Sequence, residues 1–193
     1  MIFGQSNLET NSFAFFPYSK YFLFFNIDLI YESISSKLPP SQIYPDIIYI
    51  CIGYGDEEEN IKDLVKELDL EGQVMFFKDI SEDLKNALVA KSNIFVMPST
   101  IYKSSVEGFG IAYTEAAQLS IPSIGGKDGG ASDAIDHGKT GLICDGGNLD
   151  DIYSSINSML ENKKYLEYGK NAKEFVAKFY WPNIIEEYKK ILS

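Results

Sequence analysis

The sequence predicts an α/β fold of the Rossmann-like kind, in which helices cover both faces of a parallel sheet. Short continuous apolar runs, such as Asp46–Gly53 and Ile94–Met97, are typical of strands that are buried on both faces. Amphipathic stretches such as Glu57–Leu68, whose apolar residues recur at helical spacing, separate these runs. The chain has 193 residues and neither an internal repeat nor a low-complexity linker, so we expect one such domain.

The predicted elements alternate along the chain from residue 28 onward. A helix over Asp28–Ser36 comes first, because its apolar residues have helical spacing and Pro39 follows as a stop. The apolar strand and the amphipathic helix come next. The later elements are predicted on the same two patterns, with strands at Val74–Phe77, Ile94–Met97, Ser123-Ile124 and Gly141–Cys144, and helices at Glu82–Lys91, Gly110–Leu119, Ser132–Asp136, Leu149–Leu160, Lys163–Lys178 and Trp181–Leu192. Since ligands of parallel sheets bind at the carboxyl ends of the strands, the loops after these strands are candidates for a site.

Charge and composition exclude several classes of partner. A formal net charge of −11 argues against the basic face that nucleic acid or an anionic membrane surface requires, so we predict no nucleic-acid partner. The two cysteines, Cys51 and Cys144, lie in apolar runs without metal-ligand spacing, which predicts reduced, buried thiols in a cytoplasmic protein. No apolar stretch is long enough for a transmembrane segment.

The first 25 residues differ in composition from the rest of the chain. Residues 13–25 hold six of the 13 Phe residues, and Pro17 and Lys20 interrupt the run. It is too short for a membrane span and lacks the basic leader of a signal peptide. Two interpretations stay open: a buried strand, or a segment that does not belong to the fold. We expect residues 1–25 to be degenerate, since a bias to Phe, Tyr, Lys and Leu is typical of AT-rich DNA translated out of frame.

The segment Val106–Ala116, VEGFGIAYTEA, carries two acidic residues on either side of a predicted helix start. Glu107 lies in the loop after a strand, and Glu115 lies eight residues later inside the helix. Between them, the amides of Phe109–Ile111 would form an open helix N-terminus, where unpaired donors and the helix dipole favour an anion such as a diphosphate. The two carboxylates could accept hydrogen bonds from sugar hydroxyls. The alternative is an ordinary helix start with Glu107 near its cap.

Glycines recur at the ends of the predicted strands. Gly108 and Gly110 would let a ligand approach the backbone closely. In the segment IGGKDGGASDAIDHGKTGL, a Gly-Gly pair at 129–130 follows a strand and precedes a short helix, which again exposes backbone amides. Gly53 directly follows an apolar strand, but Glu58 stands where a dinucleotide-binding fingerprint needs its third glycine. We therefore reject a nicotinamide cofactor and keep Gly53 as a residue that passes near the ligand.

The remaining polar candidates favour structural roles. His137 is the only histidine and lies in a predicted turn, so a surface or capping role is favoured over catalysis. Asp150 and Asp151 begin a helix and are typical of carboxylates that complement its dipole. We therefore predict no metal site.

Taken together, these residues resemble the family 4 retaining glycosyltransferases, whose two-domain GT-B fold binds the nucleotide sugar on its C-terminal domain. The resemblance covers about residues 26–192 and rests on the pair Glu107 and Glu115, the preceding VMPS that ends at Ser99, and GGASDAIDHGKTGLI. The loop Thr100–Val106 and the phrase VEGFGIAYTEA are most similar to the phosphatidylinositol-mannosyltransferase-like branch. The resemblance implies that residues 26–193 are the single C-terminal, donor-binding half of a GT-B glycosyltransferase.

The resemblance implies a role for each matching residue. Glu115 would hold the ribose hydroxyls of a UDP- or GDP-sugar donor, and Glu107, as the catalytic residue, would face the transferred sugar. The amides of Phe109–Ile111 would hold sugar and diphosphate. The reaction would transfer a hexose with retention and without a metal or other cofactor, because protein donors stabilise the leaving diphosphate. The base would contact the backbone of three residues that follow a strand, the first of which is more usually a glycine: Lys78, Asp79 and Ile80.

Two departures from the family bear on function. The family's domain opens with Gly-Arg-Leu and has a lysine five residues after the arginine, and both cations hold the diphosphate; here Lys20 aligns with the arginine and Phe25 with the lysine. Losing one charge-assisted contact, worth about 1.5–3 kcal/mol, would weaken binding roughly ten- to hundredfold. The N-terminal domain, which binds the acceptor and forms the other wall of the cleft, has no counterpart in this sequence.

Two hypotheses for function stay open, with a generic doubly wound domain for an unrelated ligand as a third. Either the chain is the donor half of an enzyme that a partner chain or an upstream domain completes, or it is a non-catalytic nucleotide-sugar-binding remnant. Phe25 and the missing acceptor domain favour the second, whereas the acidic pair and the glycine loops favour the first. The cleft face and the C-terminal helix at Trp181 are candidate surfaces for self-association. Membrane attachment, as in envelope glycolipid synthesis, would be peripheral, through the acceptor or the partner.

Overall fold

The computed structural model describes residues 21–25, 47–53, 58–101 and 108–192. Strands and α-helices alternate along these residues, as the sequence predicts. The strands are β1 Tyr21–Phe25, β2 Ile47–Ile52, β3 Val74–Phe77, β4 Ile94–Met97, β5 Ser123–Gly126 and β6 Gly141–Cys144. The helices are α1 Glu58–Glu67, α2 Glu82–Lys91, α3 Ile111–Gln118, α4 Ala131–Ala134, α5 Leu149–Leu160, α6 Lys164–Val176 and α7 Trp181–Leu192, with short 3₁₀ turns at Glu161–Lys163 and Ala177–Phe179.

The six strands form one parallel sheet in the order β3-β2-β1-β4-β5-β6. The chain moves outward from β1 to β3, then returns across the sheet and moves outward again from β4 to β6. The strand order therefore reverses between β1 and β4. In doubly wound sheets, ligands bind outside the carboxyl ends of the strands at this reversal. The α/β fold with a parallel sheet is confirmed, and its topology places the candidate site at the ends of β1 and β4.

The strand β1 lies in the Phe-rich N-terminal run. Leu23 pairs with Tyr49 of β2 on one side and with Ile94 of β4 on the other, so β1 is an internal strand of the sheet. For Tyr21–Phe25, the structure agrees with the strand interpretation. Residues 1–20, including Lys20, lie outside the described residues, and the expectation that residues 1–25 are degenerate stays a prediction.

The apolar strands divide their side chains between the two faces of the sheet, because successive residues of a strand point in opposite directions. In β2, Ile47, Tyr49 and Cys51 belong to the core under α1 and α5, whereas Ile48 and Ile50 belong to the core under α2 and α3. All five residues are buried. This confirms that the continuous apolar run is a strand covered on both faces.

Helix ends follow the local sequence signals. Ser81 caps α2 by accepting a hydrogen bond from the amide of Leu84. Asn148 caps α5 by accepting hydrogen bonds from the amides of Asp150 and Asp151. The predicted bounds of α2, α5 and α7 are confirmed, and those of α1, α3, α4 and α6 differ by one to two residues at each end. The helix predicted over Asp28–Ser36 lies outside the described residues.

The last helix, α7, has an apolar stripe that nothing in the described chain covers. Trp181, Tyr188 and Ile191 are 76%, 62% and 79% exposed, and no residue of α7 is buried. Its charged face is occupied by lysine–glutamate pairs three residues apart. In the part of the chain that the structure describes, neither α7 nor any other helix has the length and apolar character needed to cross a membrane.

Candidate functional site

The candidate site lies along the carboxyl edge of the sheet, where the chain leaves each strand. Gly53 follows β2, Lys78–Ile80 follows β3, and Ser99 lies two residues after the end of β4. Lys127 and Asp145 directly follow the neighbouring strands β5 and β6, and their side chains form an ion pair of 2.6 Å. The topology therefore brings sequence-predicted residues of three separate segments to one edge, together with the ion pair of Lys127 and Asp145.

The loop from Gly108 to the start of α3 has a backbone that suits an anion. Gly110 is the N-cap of α3 and adopts a left-handed conformation, with φ of 78°. A Cβ at Gly110 would overlap with the ring of Tyr113, whose hydroxyl donates a hydrogen bond of 2.5 Å to the Met97 carbonyl. Only glycine fits this position without strain. The amides of Phe109–Ile111 donate to no acceptor in the described part of the chain, as expected at a helix start.

The two glycine-rich segments that the sequence singles out pack against each other. A Cβ at Gly130 would overlap with the carbonyl oxygen of Gly108, and one at Gly126 would overlap with the carbonyl oxygen of Ser99. The backbones therefore touch directly, without side chains between them. The second glycine segment supports the first from behind, and this contact holds the Gly108–Ile111 loop at the edge of the sheet.

An aromatic cluster from the C-terminal part of the chain holds the same loop on another side. The ring of Phe109 meets that of Phe179 edge to face, with 5.0 Å between centroids, and Phe179 meets Phe175 at 6.0 Å. The ammonium of Lys178 lies 3.4 Å from the centroid of the Phe175 ring. The sequence prediction missed Phe179 and Lys178, because about seventy residues separate them from the loop and no local pattern links the two segments.

Glu115 lies in the second turn of α3, and Lys85 of α2 reaches it. The Lys85 ammonium lies 3.0 Å from Glu115 Oε2 and 2.7 Å from Glu82 Oε1, and hydrogen bonds to these carboxylates, Glu82 first, raise the pKa of Lys85. The Glu115 side chain is 45% exposed, so its carboxylate remains open to a ligand. Lys85 is a candidate site residue that the sequence prediction did not include.

Four of the other predicted site residues lie in loops or at a helix start. The exposed Lys78 pairs with Glu58 at 3.4 Å, and Asp79 adopts a positive φ of 51° in the turn before α2. Gly53 has φ of 137°, and a Cβ there would meet no atom within 4 Å. Ile111 is 67% exposed at the first position of α3. Glu107 and Lys20 lie outside the described residues, so their predicted roles are not tested by the structure.

His137 and the cysteines have structural environments. His137 is exposed, and its Nδ1 accepts a hydrogen bond of 2.9 Å from the amide of Ile143, which ties the turn to β6. Burial raises the pKa of the Cys51 and Cys144 thiols to about 12, so both are poor nucleophiles. Across the described ranges, no cluster of three or more His, Cys, Asp or Glu residues could hold a metal ion.

Several curated proteins are similar to this chain in sequence. A GDP-mannose-dependent alpha-(1-6)-phosphatidylinositol monomannoside mannosyltransferase of Mycolicibacterium smegmatis is 30% identical over 122 residues, which cover 62% of this chain and 32% of that protein. The N-acetyl-alpha-D-glucosaminyl L-malate synthase of Bacillus anthracis is 29% identical over 148 residues, which cover 76% of this chain and 37% of that protein. This chain therefore spans about a third of the length of these relatives.

Solved structures share the fold at lower identity. The Anabaena protein Alr3699/HepE, crystallised with UDP, superposes with a TM-score of 0.71 at 20% identity. The match covers 90% of this chain and 49% of the HepE chain. The C-terminal domain of a glycosyl transferase group 1 family protein (LpcC) from Francisella tularensis superposes with a TM-score of 0.69 at 21% identity. That match covers 83% of this chain and 86% of that domain.

The family assignment rests on a match that extends over most of the sequence. Residues 9–175 match the family Glycosyl transferases group 1, a range that includes all six strands and the loop before α3. The matched range also includes the Gly108–Ile111 loop and Glu115. The chain therefore belongs to the group 1 glycosyl transferases.

Proposed function

We propose that this chain is the donor-binding half of a glycosyltransferase, which transfers a hexose from a nucleoside-diphosphate sugar with retention and without a metal. The observation that carries the proposal is the juxtaposition of the Phe109–Ile111 amides with Glu115 on the next turn of α3. This pairing offers donors for a diphosphate and an acceptor for hydroxyl groups. It lies at the carboxyl edge of the sheet, where doubly wound domains bind nucleotides.

The diphosphate is bound by backbone. The amides of Phe109–Ile111 point away from α3 at the positive end of its dipole, and both features favour negative charge. The same donors stabilise the charge that develops on the diphosphate as it leaves the sugar. This is the role a metal plays in other transferases, which is why we propose a reaction without one.

The nucleoside and the sugar lie on either side of the diphosphate. Glu115 accepts hydrogen bonds from the ribose hydroxyls, and the backbone of Lys78–Ile80, at the end of the nearby strand β3, contacts the base. Glu107 faces the transferred sugar. Relatives support a pyrimidine or a guanine base, since HepE was crystallised with UDP and the mycobacterial relatives are GDP-mannose-dependent.

The acceptor is bound by a second domain, carried on a partner chain or upstream in the same protein. Two observations support this: the chain spans about a third of its curated relatives, and the apolar stripe of α7 around Trp181 is uncovered. The same stripe is a surface for self-association, and any membrane contact is made through the acceptor or the partner.

The alternative is a non-catalytic nucleotide-sugar-binding chain. One specific observation favours it: Phe25 is the last residue of β1, beside the topological switch point, where the family resemblance implies a lysine for the diphosphate. Transfer activity that appears only when a separately expressed acceptor domain is added supports the enzyme. Donor binding without turnover under the same conditions supports the alternative.

Calorimetric titration of the purified chain with UDP, GDP and ADP tests donor binding. We expect saturable binding of one diphosphate, and its affinity should fall at least tenfold in Glu115→Ala, because hydrogen bonds to a charged group contribute about 1.5–3 kcal/mol each. Glu167→Ala, which removes an exposed carboxylate on α6, is the matched control and should bind as the unaltered chain does. A folded sample that binds no diphosphate at millimolar concentration would contradict the proposed function.

A further inference from the structure

The contact between α2 and α3 involves Glu115, the residue that we propose binds the ribose hydroxyls. Lys85 of α2 and Glu115 of α3 are 30 residues apart in sequence, and their side chains form a hydrogen-bonded ion pair of 3.0 Å. Lys85 is the less exposed partner, at 27% against 45% for Glu115. The Glu115 carboxylate is therefore the more solvent-accessible member of the pair.

Lys85 is held at a second point on its own helix. Its ammonium also lies 2.7 Å from Glu82 Oε1, one turn earlier in α2. These hydrogen bonds raise the pKa of Lys85, with the bond to Glu82 as the larger cause and burial acting in the opposite direction. The ammonium thus stays charged at physiological pH, and its direction is set by two carboxylates on different helices.

An apolar groove next to the pair disfavours movement of either charge into the space between α2 and α3. The groove has a volume of about 230 Å³ and lies between α2 and α3, with Val89, Phe95 and Met97 among its mostly apolar lining. Moving a charged group into an apolar space without a partner is unfavourable. Lys85 and Glu115 both line this groove, and pairing with each other is more favourable for their charged ends than entering its apolar interior unpaired.

The two oxygens of Glu115 therefore have different surroundings. Oε2 accepts from Lys85, whereas no donor in the described part of the chain reaches Oε1. A carboxylate fixed in this way presents a defined acceptor to a ligand hydroxyl, and less rotational freedom is lost on binding. An unrestrained glutamate on a helix surface would lose that freedom when it binds.

We propose that Lys85 is a positioning residue for donor recognition: it binds one oxygen of Glu115 and so orients the other toward the vicinal hydroxyls of a nucleoside-diphosphate ribose. The inference rests on the proposed function, since it assumes that Glu115 meets the ribose. It adds a residue on α2, a helix outside the loop that binds the diphosphate. Lys85 itself acts through Glu115 and touches neither the base nor the phosphates.

Removing the ribose hydroxyls separates this role from a structural one. We would titrate the unaltered chain, Lys85→Met and Lys85→Arg with whichever of UDP or GDP binds, and with its 2′,3′-dideoxy counterpart. Lys85→Met should bind the ribonucleotide about tenfold more weakly, and should bind the dideoxy nucleotide as the unaltered chain does. Lys85→Arg, which keeps the charge and a donor, should restore most of the ribonucleotide affinity.

A matched control lies on the same helix. Lys91→Met removes an exposed lysine from the last turn of α2 and should change neither affinity nor melting temperature. Equal loss of affinity for the two nucleotides in Lys85→Met, or no loss for either, would overturn the positioning role while leaving the proposed function intact. If the unaltered chain binds no nucleotide, the proposed function fails and the inference fails with it.

Discussion

The contact between the two glycine segments predicts a large effect for a single methyl group. In Gly130→Ala, the new Cβ would overlap with the Gly108 carbonyl oxygen and lie 2.8 Å from the Cα of Phe109, so backbone must move. Overpacking of this kind costs about 1–3 kcal/mol. For a chain of this size each kcal/mol shifts the melting temperature by about 2–4 °C, so we expect a fall of about 2–12 °C. Nucleotide affinity should fall as well, because the displaced segment carries the amides that we propose bind the diphosphate.

The matched control is Gly72→Ala, where a Cβ would meet no atom within 4 Å. A glycine-to-alanine change at a backbone conformation that alanine can adopt also stabilises the chain by about 0.4–1 kcal/mol, because it restricts the unfolded state, and neither Gly130 nor Gly72 has a positive φ. Both variants share this effect, so the difference between their melting temperatures measures the overlap alone. Thermal unfolding and calorimetric titration of the two variants would be compared under identical conditions. Equal melting temperatures for Gly130→Ala and Gly72→Ala would refute the direct packing of the two segments.

Three further predictions use different probes. Raising the NaCl concentration from about 50 to 300 mM should leave the affinity for the diphosphate unchanged or raise it, because salt screens the repulsion between the ligand and a chain of net charge −11. A steep fall in affinity would contradict this and would indicate cationic side chains at the phosphates. Neither Cys51 nor Cys144 should react with iodoacetamide at about pH 8 until denaturant is added, since burial raises the pKa of both thiols to about 12; modification of the folded chain, measured by mass spectrometry, would contradict this. Phe179→Ala should weaken diphosphate binding about two- to tenfold, because it removes the ring against which Phe109 packs. Calorimetric titration measures this affinity, and an affinity equal to that of the unaltered chain would contradict the prediction.

Much of the fold could be predicted because its signals are local. The strand β4 and the helix α2 have the predicted bounds, since each is defined by a continuous apolar run or by a cap and a helical repeat. The start of α3 was predicted to within one residue, at Gly110, which the structure places at the N-cap. Sequence patterns of this kind depend on residues that are close together along the chain, so they can be recognised without knowledge of the tertiary structure.

The missed features depend on residues that are distant in sequence. Nothing near Lys85 indicates that α2 will lie beside α3, and nothing near Phe109 indicates that Phe179 will cover it. The strand β1 was ambiguous for another reason: its composition is extreme, and only pairing with β2 and β4 assigns it to the sheet. Such long-range contacts can be predicted only when the order of the strands and helices in space is known, and the spacing of apolar residues does not give that order.

The charges along the carboxyl edge explain why backbone donors would dominate donor recognition. Of the described lysines there, Lys78, Lys85 and Lys127 each lie within 3.4 Å of a carboxylate, so their fields are largely cancelled locally. The backbone amides at the start of α3 are then left as donors at this edge, and they act only at hydrogen-bonding range. Such interactions are weak in an open, wet site and strengthen as water is excluded. The half-site should therefore bind a diphosphate modestly on its own and more tightly once a second wall closes over it.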